Sequence, residues 1–192
     1  MDKTTSVLLA GVGGQGVLLV GHIIARAAML SALDVKMNEV HGMAQRGGSV
    51  LAQVRYGKKV NGPISWEAQA DLLISLERIE ALRYARCLSP SGRVICSDEA
   101  IIPVTVSSGK AEYPGNAHEL AEASFPYARF IDAAGIAEKL GNRKAANVVL
   151  AGAASKGLDL SEGAWLAAIR ELVGEKYIEL NLRAFEAGRQ AV

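Results

Sequence analysis

Residues 6–33 constrain this chain more than any other stretch. A short apolar run, Val7-Leu8-Leu9-Ala10, passes directly into Gly11-Val12-Gly13-Gly14-Gln15-Gly16 and then into an apolar stretch from Val17 to Leu33, broken by His22, Arg26 and Ser31. A hydrophobic run bounded by Ser6 and a glycine reads as a buried strand, and the longer stretch reads as a helix pressed against a sheet. The residues between them fit G-x-G-x-x-G, which carries meaning only with a strand before it and a helix after it, as here. Gly11 permits a tight turn off the strand, Gly13 lets a phosphate approach the backbone, and Gly16 lets the helix pack closely. The N–H groups of the first helical turn then face an anion, with the helix dipole behind them. The alternative is a tight strand-to-helix turn that binds nothing.

Two familiar nucleotide signatures fit poorly. No Gly-Lys-Ser/Thr follows, so the loop is not a Walker A motif. A nicotinamide-binding unit wants an acid about 20 residues on. Asp34 falls before the second strand, read at Val35 to Val40, and Glu39 comes late in it.

The remaining pattern alternates. The opening reads as β-loop-α-β, the start of a parallel sheet. Ser49 to Tyr56 reads as a strand, Gly57-Lys58-Lys59 as a turn, and Val60 to Trp66 as a short partner strand. Leu72-Leu73-Ile74 marks a buried strand, Arg78 to Leu88 a helix closed by Ser89-Pro90-Ser91-Gly92, and Arg93 to Ser97 and Ile101 to Val106 two more strands, the last at an edge because of Pro103. Beyond a helix at His118 to Ser124 and a strand at Arg129 to Ile131, the chain is helical. Asp132, Asn142 and Ser161 stand as caps for helices at Ala133 to Leu140, Arg143 to Ser155 and Glu162 to Val173, and a last helix runs from Glu175 to about Ala191. The expected fold is α/β, a Rossmann-like, mostly parallel sheet with helices on both faces. Residues 1–192 form one domain in this reading, with 143–192 as its helical extension.

The segment His41-Gly42-Met43-Ala44-Gln45-Arg46-Gly47-Gly48-Ser49 should leave the same carboxyl edge of the sheet as the glycine loop. Arg46 offers a planar donor fork suited to phosphate or carboxylate, Gln45 adds an amide, and Gly47 and Gly48 admit a close approach of ligand or chain. Read blandly, it is a surface turn with a solvated arginine.

Together, the two loops resemble those of the gamma domain of the 2-oxoacid:ferredoxin oxidoreductases, a likeness that continues at Leu76-Glu77 and Glu80-Ala81-Leu82-Arg83 and, more weakly, at Asn147. Within that family the His-Gly-Met-Ala-Gln-Arg-Gly-Gly form is most similar to the beta subunit of the indolepyruvate enzymes. The resemblance implies oxidative decarboxylation of a 2-oxoacid with coenzyme A, giving acyl-CoA, carbon dioxide and reduced ferredoxin. It further implies thiamine diphosphate, magnesium and iron–sulfur clusters on a large alpha subunit. It assigns no catalytic residue to this chain and places either coenzyme A or the large subunit against Gly11, Gly13, Gly14, Gln15, Gly16, Gly42, Gln45, Arg46, Gly47, Gly48 and Ser49. The implied assembly is a hetero-oligomer that meets ferredoxin through the large subunit, with self-association of the isolated chain left open. A pyruvate or 2-oxoglutarate enzyme of the same family, a self-sufficient NAD(P)- or FAD-dependent oxidoreductase and a ligand-free scaffold are the competing readings.

Composition agrees. The 21 Lys+Arg against 20 Asp+Glu give no basic surplus for nucleic acid or a membrane surface. The chain has only 2 cysteines, Cys87 and Cys96, too few for an iron–sulfur cluster, which usually takes about four. With no C-x-x-C, a reducing cytoplasm is the natural setting. His22, His41 and His118 show no metal-ligand spacing. His22 reads as a satisfied core histidine, His41 as a polar loop contact, and Glu77 as either a site carboxylate or a helix-start acid. Trp165 reads as core or interface.

Overall fold

In the computed structural model the described residues are 4–41, 47–64, 67–102, 112–125 and 128–192, with Val106 and Gly109; only the backbone of His41 is described. Strand β1 (Thr5–Val12) carries the glycine loop into helix α1 (Val17–Leu30), and β2 (Asp34–His41) and β3 (Ser49–Gly57) follow as a hairpin. Next come β4 (Ala70–Ser75), α2 (Arg78–Arg83), β5 (Leu88–Ser97), α3 (Ala117–Ser124), β6 (Arg129–Ile131) and α4 (Ala133–Lys139). Helices α5 (Ala146–Ser155), α6 (Glu162–Leu172) and α7 (Ile178–Gln190) complete the chain, α5 and α7 each entered through a 3-10 turn.

The strand order is β2-β3-β1-β4-β5-β6. Pairing is parallel from β1 through β6 and antiparallel on both sides of β3, so every strand but β3 runs the same way. The expected parallel opening is therefore revised in one respect: β2 runs with β1, but β3 lies between them. The link from His41 to Ser49 is too short for a crossover, so the chain reverses. Both loops consequently leave the same edge of the sheet.

Alternate residues of β1 divide the core. Val7 and Leu9 join α1 and the C-terminal helices on one face, whereas Leu8 and Ala10 pack with Leu73, Ala81 and Phe125 on the other. Trp165 and Phe185, both fully buried with ring centroids 5.6 Å apart, share the first core with Leu9 and Ile24. Asp132 and Ser161 cap as expected, accepting from the N–H groups of Gly135 and Ala164, and Asn142 caps a 3-10 turn by accepting from Lys144.

Other local expectations change for visible reasons. Of the strand expected at Val60 to Trp66, residues 60–64 form none, since Arg55 Nη1 donates to the carbonyls of Gly62 and Ile64, 3.0 Å each, which a partner strand would otherwise use, and residues 65–66 lie outside the described set. Helix α1 stops at Leu30, where Ser31 Oγ turns back to Ala27 O and Ala32 adopts φ 58. The helix after Glu77 ends at Arg83, and Ser89 to Gly92 belong to β5 rather than to a turn; a register irregularity opposite Ala70–Leu72 accommodates Pro90. Ile101 and Ile102 lie outside any strand, and residues 103–105 fall outside the described set. No helix among the described residues is long and apolar enough to cross a membrane.

Candidate functional site

The two loops meet. Gly13 N–H donates to Gly48 O at 2.8 Å, and Gly47 N–H donates to Gly13 O at 3.3 Å. Gly13 is thus approached by the chain's own second loop. Gly42, Met43, Ala44, Gln45 and Arg46 lie outside the described residues.

The other positions in the glycine loop have distinct tasks. A Cβ on Gly11 would sit 2.8 Å from Val17 Cγ2 and 3.1 Å from Leu76 Cβ, so this glycine lets strand and helix close. Gly14 has φ 104 and open space around it. Gly16, φ 81, is the N-cap of α1 and provides no side-chain cap, so the first-turn amides have no side chain from the cap across them. Gln15 folds back on the protein. Its Oε1 accepts from Val12 N–H at 2.8 Å, and its Nε2 donates to Leu76 O at 2.7 Å and to Glu99 Oε2 at 3.3 Å. Its amide ties β1 to the residue that follows β4.

Beside this loop opens a cleft of about 480 Å³ at the carboxyl ends of β1, β4 and β5, lined by Gly14, Gln15, Gly16, Glu99, Asn142, Arg143, Lys144 and Asn147. The far wall is the entry to α5, where Asn147 Nδ2 donates to Gly16 O at 3.3 Å. Arg143 lies between Glu99 and Glu138, 2.7 Å from each, and those hydrogen bonds, Glu138 first, hold its guanidinium above the ordinary value. Lys144 stands exposed beside it. The cleft therefore pairs the positive end of α1 with two cations across from it and one carboxylate, Glu99, inside it.

This wall is the part that sequence reasoning missed as a site. Asn142 was legible as a cap and Asn147 as a weak family cue, but nothing local in the sequence places 142–147 opposite 14–16.

Ser49, at the start of β3, forms a short hydrogen bond to Glu80 and lies 3.2 Å from Tyr84 OH. Glu77 is a buried helix-start acid: its carboxylate accepts from Glu80 N–H at 3.0 Å as the N-cap of α2. His22 is not a core residue; it lies on the exposed face of α1, with Nε2 3.0 Å from Glu39 Oε1. Cys96 is fully buried, and burial, with Glu77 and Asp98 adding to it, pushes its thiol up to about 12. Cys87 is half-buried and raised by the same desolvation.

Residues 6–191 match the family described as pyruvate ferredoxin/flavodoxin oxidoreductase. An indolepyruvate oxidoreductase subunit IorB of Thermococcus kodakarensis is 41% identical, covering 98% of this chain and 96% of its own. The subunit of that name from Archaeoglobus fulgidus is 43% identical over 95% and 92%. Among solved structures, a keto/oxoacid ferredoxin oxidoreductase gamma subunit from Geobacter sulfurreducens superposes with TM-score 0.71 at 22% identity, over 97% of both chains. A 2-oxoglutarate:ferredoxin oxidoreductase from Magnetococcus marinus, with 2-oxoglutarate, coenzyme A and succinyl-CoA bound, superposes with TM-score 0.76 at 20% identity, covering all of this chain and 31% of that one. At those identities the two structures bear on the fold.

Proposed function

The chain belongs to the pyruvate ferredoxin/flavodoxin oxidoreductase family, and on that premise we propose that it is the small (beta) subunit of an indolepyruvate:ferredoxin oxidoreductase. That enzyme converts an aryl 2-oxoacid and coenzyme A, with thiamine diphosphate, to acyl-CoA, carbon dioxide and reduced ferredoxin. The observation that carries the reading is 41% identity sustained over 98% of this chain and 96% of the Thermococcus subunit. The 2-oxoglutarate synthase subunits stand further off, at 27%. Thiamine diphosphate, magnesium and the clusters belong, in this reading, to a large alpha subunit that also meets ferredoxin, and the complex works in the cytoplasm. Residues 1–192 act as one domain, a view supported by the core that Trp165 and Phe185 share with Leu9 and Ile24.

Coenzyme A supplies the thiol that accepts the acyl group. This chain's part is to bind and orient the anionic end through residues of the segments 11–16 and 42–49. The residues present suit such a group. Gly14 is open, the α1 terminus has no side-chain cap, and Lys144 stands exposed across the cleft, whereas Arg143 beside it is already paired with Glu99 and Glu138. Arg46 adds a bidentate donor. Since Gly13 N–H is committed to Gly48 and the Gln15 amide to the residue that follows β4, the contacts of those two residues are with the frame of the site. Gly11, Gly47, Gly48 and Ser49 shape the backbone around it.

The test is co-expression with the large subunit, followed by coenzyme A calorimetry. Arg46→Ala should weaken coenzyme A binding about tenfold or more, the value of a charged hydrogen bond. Unchanged affinity would remove the site, and failure to copurify with a large cysteine-rich chain would remove the subunit assignment. A nicotinamide-dependent rise in the melting temperature of the pure chain would favour a self-sufficient dehydrogenase instead.

A further inference from the structure

Glu77 and Glu80 are buried one helical turn apart where β4 passes into α2, and neither lines the cleft. A buried carboxylate is costly unless its oxygens are satisfied. Both are satisfied here, and by groups from different segments. Glu80 accepts a short hydrogen bond from Ser49 Oγ on one oxygen and Arg83 Nε, at 3.1 Å, on the other. Glu77 accepts from Glu80 N–H on one oxygen and from Tyr113 OH, at 2.7 Å, on the other, where Ile101 N–H also lies at 3.4 Å. The preceding residue, Leu76, accepts from the Gln15 amide. The start of α2 therefore touches the glycine loop, the second loop and the segment that follows β5. Accepting donors on both oxygens requires a carboxylate; a glutamine has one acceptor oxygen and presents N–H groups at the other position.

The contacts form a chain toward the site. Glu80 holds Ser49, which adjoins Gly48, whose carbonyl accepts from Gly13 N–H. We propose that Glu80, whose backbone Glu77 caps, is a positioning residue that sets the second loop against the glycine loop in the geometry that receives the anionic end of coenzyme A. This rests on the coenzyme A reading given above.

The experiment uses the copurified complex carrying Glu80→Gln, Ser49→Ala, Ser49→Thr or Arg46→Ala. Hydrogen exchange at the Gly13 and Gly47 amides should accelerate about tenfold in Glu80→Gln and Ser49→Ala, and stay slow in Ser49→Thr, which keeps the hydroxyl. In Glu80→Gln the KM for coenzyme A and its calorimetric Kd should rise about fivefold, with kcat changed less than about twofold. Should Glu80→Gln fail to fold, the Ser49 pair decides. Unchanged exchange in Glu80→Gln and Ser49→Ala would overturn the positioning role. Faster exchange with unaltered coenzyme A affinity, while Arg46→Ala loses affinity, would overturn the link to the ligand and leave the functional reading standing. No loss in Arg46→Ala either would bring down that reading and this inference together.

Discussion

Gly14 and Gly16 sit two residues apart in one motif, yet substitution should read them differently. Both have positive φ, where an alanine costs about 1–2 kcal/mol. Around Gly14 a Cβ meets nothing, whereas on Gly16 it would lie 2.3 Å from Asn147 Nδ2, displacing the side chain that bonds Gly16 O. Gly16→Ala should therefore destabilise the chain by about 1 kcal/mol more than Gly14→Ala in urea unfolding. Equal costs would mean that Asn147 does not pack there. Cys96 and Tyr56 make stability fall at alkaline pH. Burial first, in both cases, pushes Cys96 and Tyr56 up to about 12. Each stays protonated in the folded chain after it has ionised in the unfolded one, so stability falls as pH rises. The window opens near pH 9 for the thiol and 10 for the phenol and closes near 12. The slope approaches about 1.4 kcal/mol per pH unit for each group ionised only when unfolded. Cys96→Ala should flatten the curve just above pH 9, and an unaltered curve would refute the assignment.

Helices α5 and α7 cross at two glycines. A Cβ on Gly152 would fall 1.9 Å from Phe185 O, and one on Gly188 would fall 1.9 Å from Val149 O, so the two backbones touch. Rigid main chain cannot yield as a side-chain tip can. Gly188→Ala should cost about 3 kcal/mol or more, seen as an earlier thermal midpoint, while Gly163→Ala, in open space on α6, should cost little. This crossing was not legible in the sequence, since a glycine inside an apolar helix pattern does not announce what it touches. Elements carrying their own signal were legible: α1 from its apolar periodicity, α4 and α6 from the caps Asp132 and Ser161, and β6 to its ends. What failed depended on partners outside the element's own sequence. The insertion of β3 between β1 and β2 is a matter of pairing, and the loss of a strand at 60–64 is decided by Arg55 reaching across to its carbonyls. The strand before the glycine loop and the helix after it were legible, but the folding back of Gln15 and the wall at 142–147 appear only when β4 and α5 are brought beside the loop.

At the scale of the whole molecule, the sheet delivers β1, β2, β4 and β5 to one edge, and both loops, the cleft and the Glu77–Glu80 pair gather there. The isolated chain should show no 2-oxoacid oxidation and should gain it only with the large subunit; turnover by the pure chain would contradict a divided enzyme. The most direct test of the central claim is hydrogen exchange of the assembled complex with and without coenzyme A. Protection should grow in residues 11–19 and 42–49 of this chain when coenzyme A is added. Exchange in those segments unchanged at saturating coenzyme A, with protection appearing only in the large subunit, would contradict it.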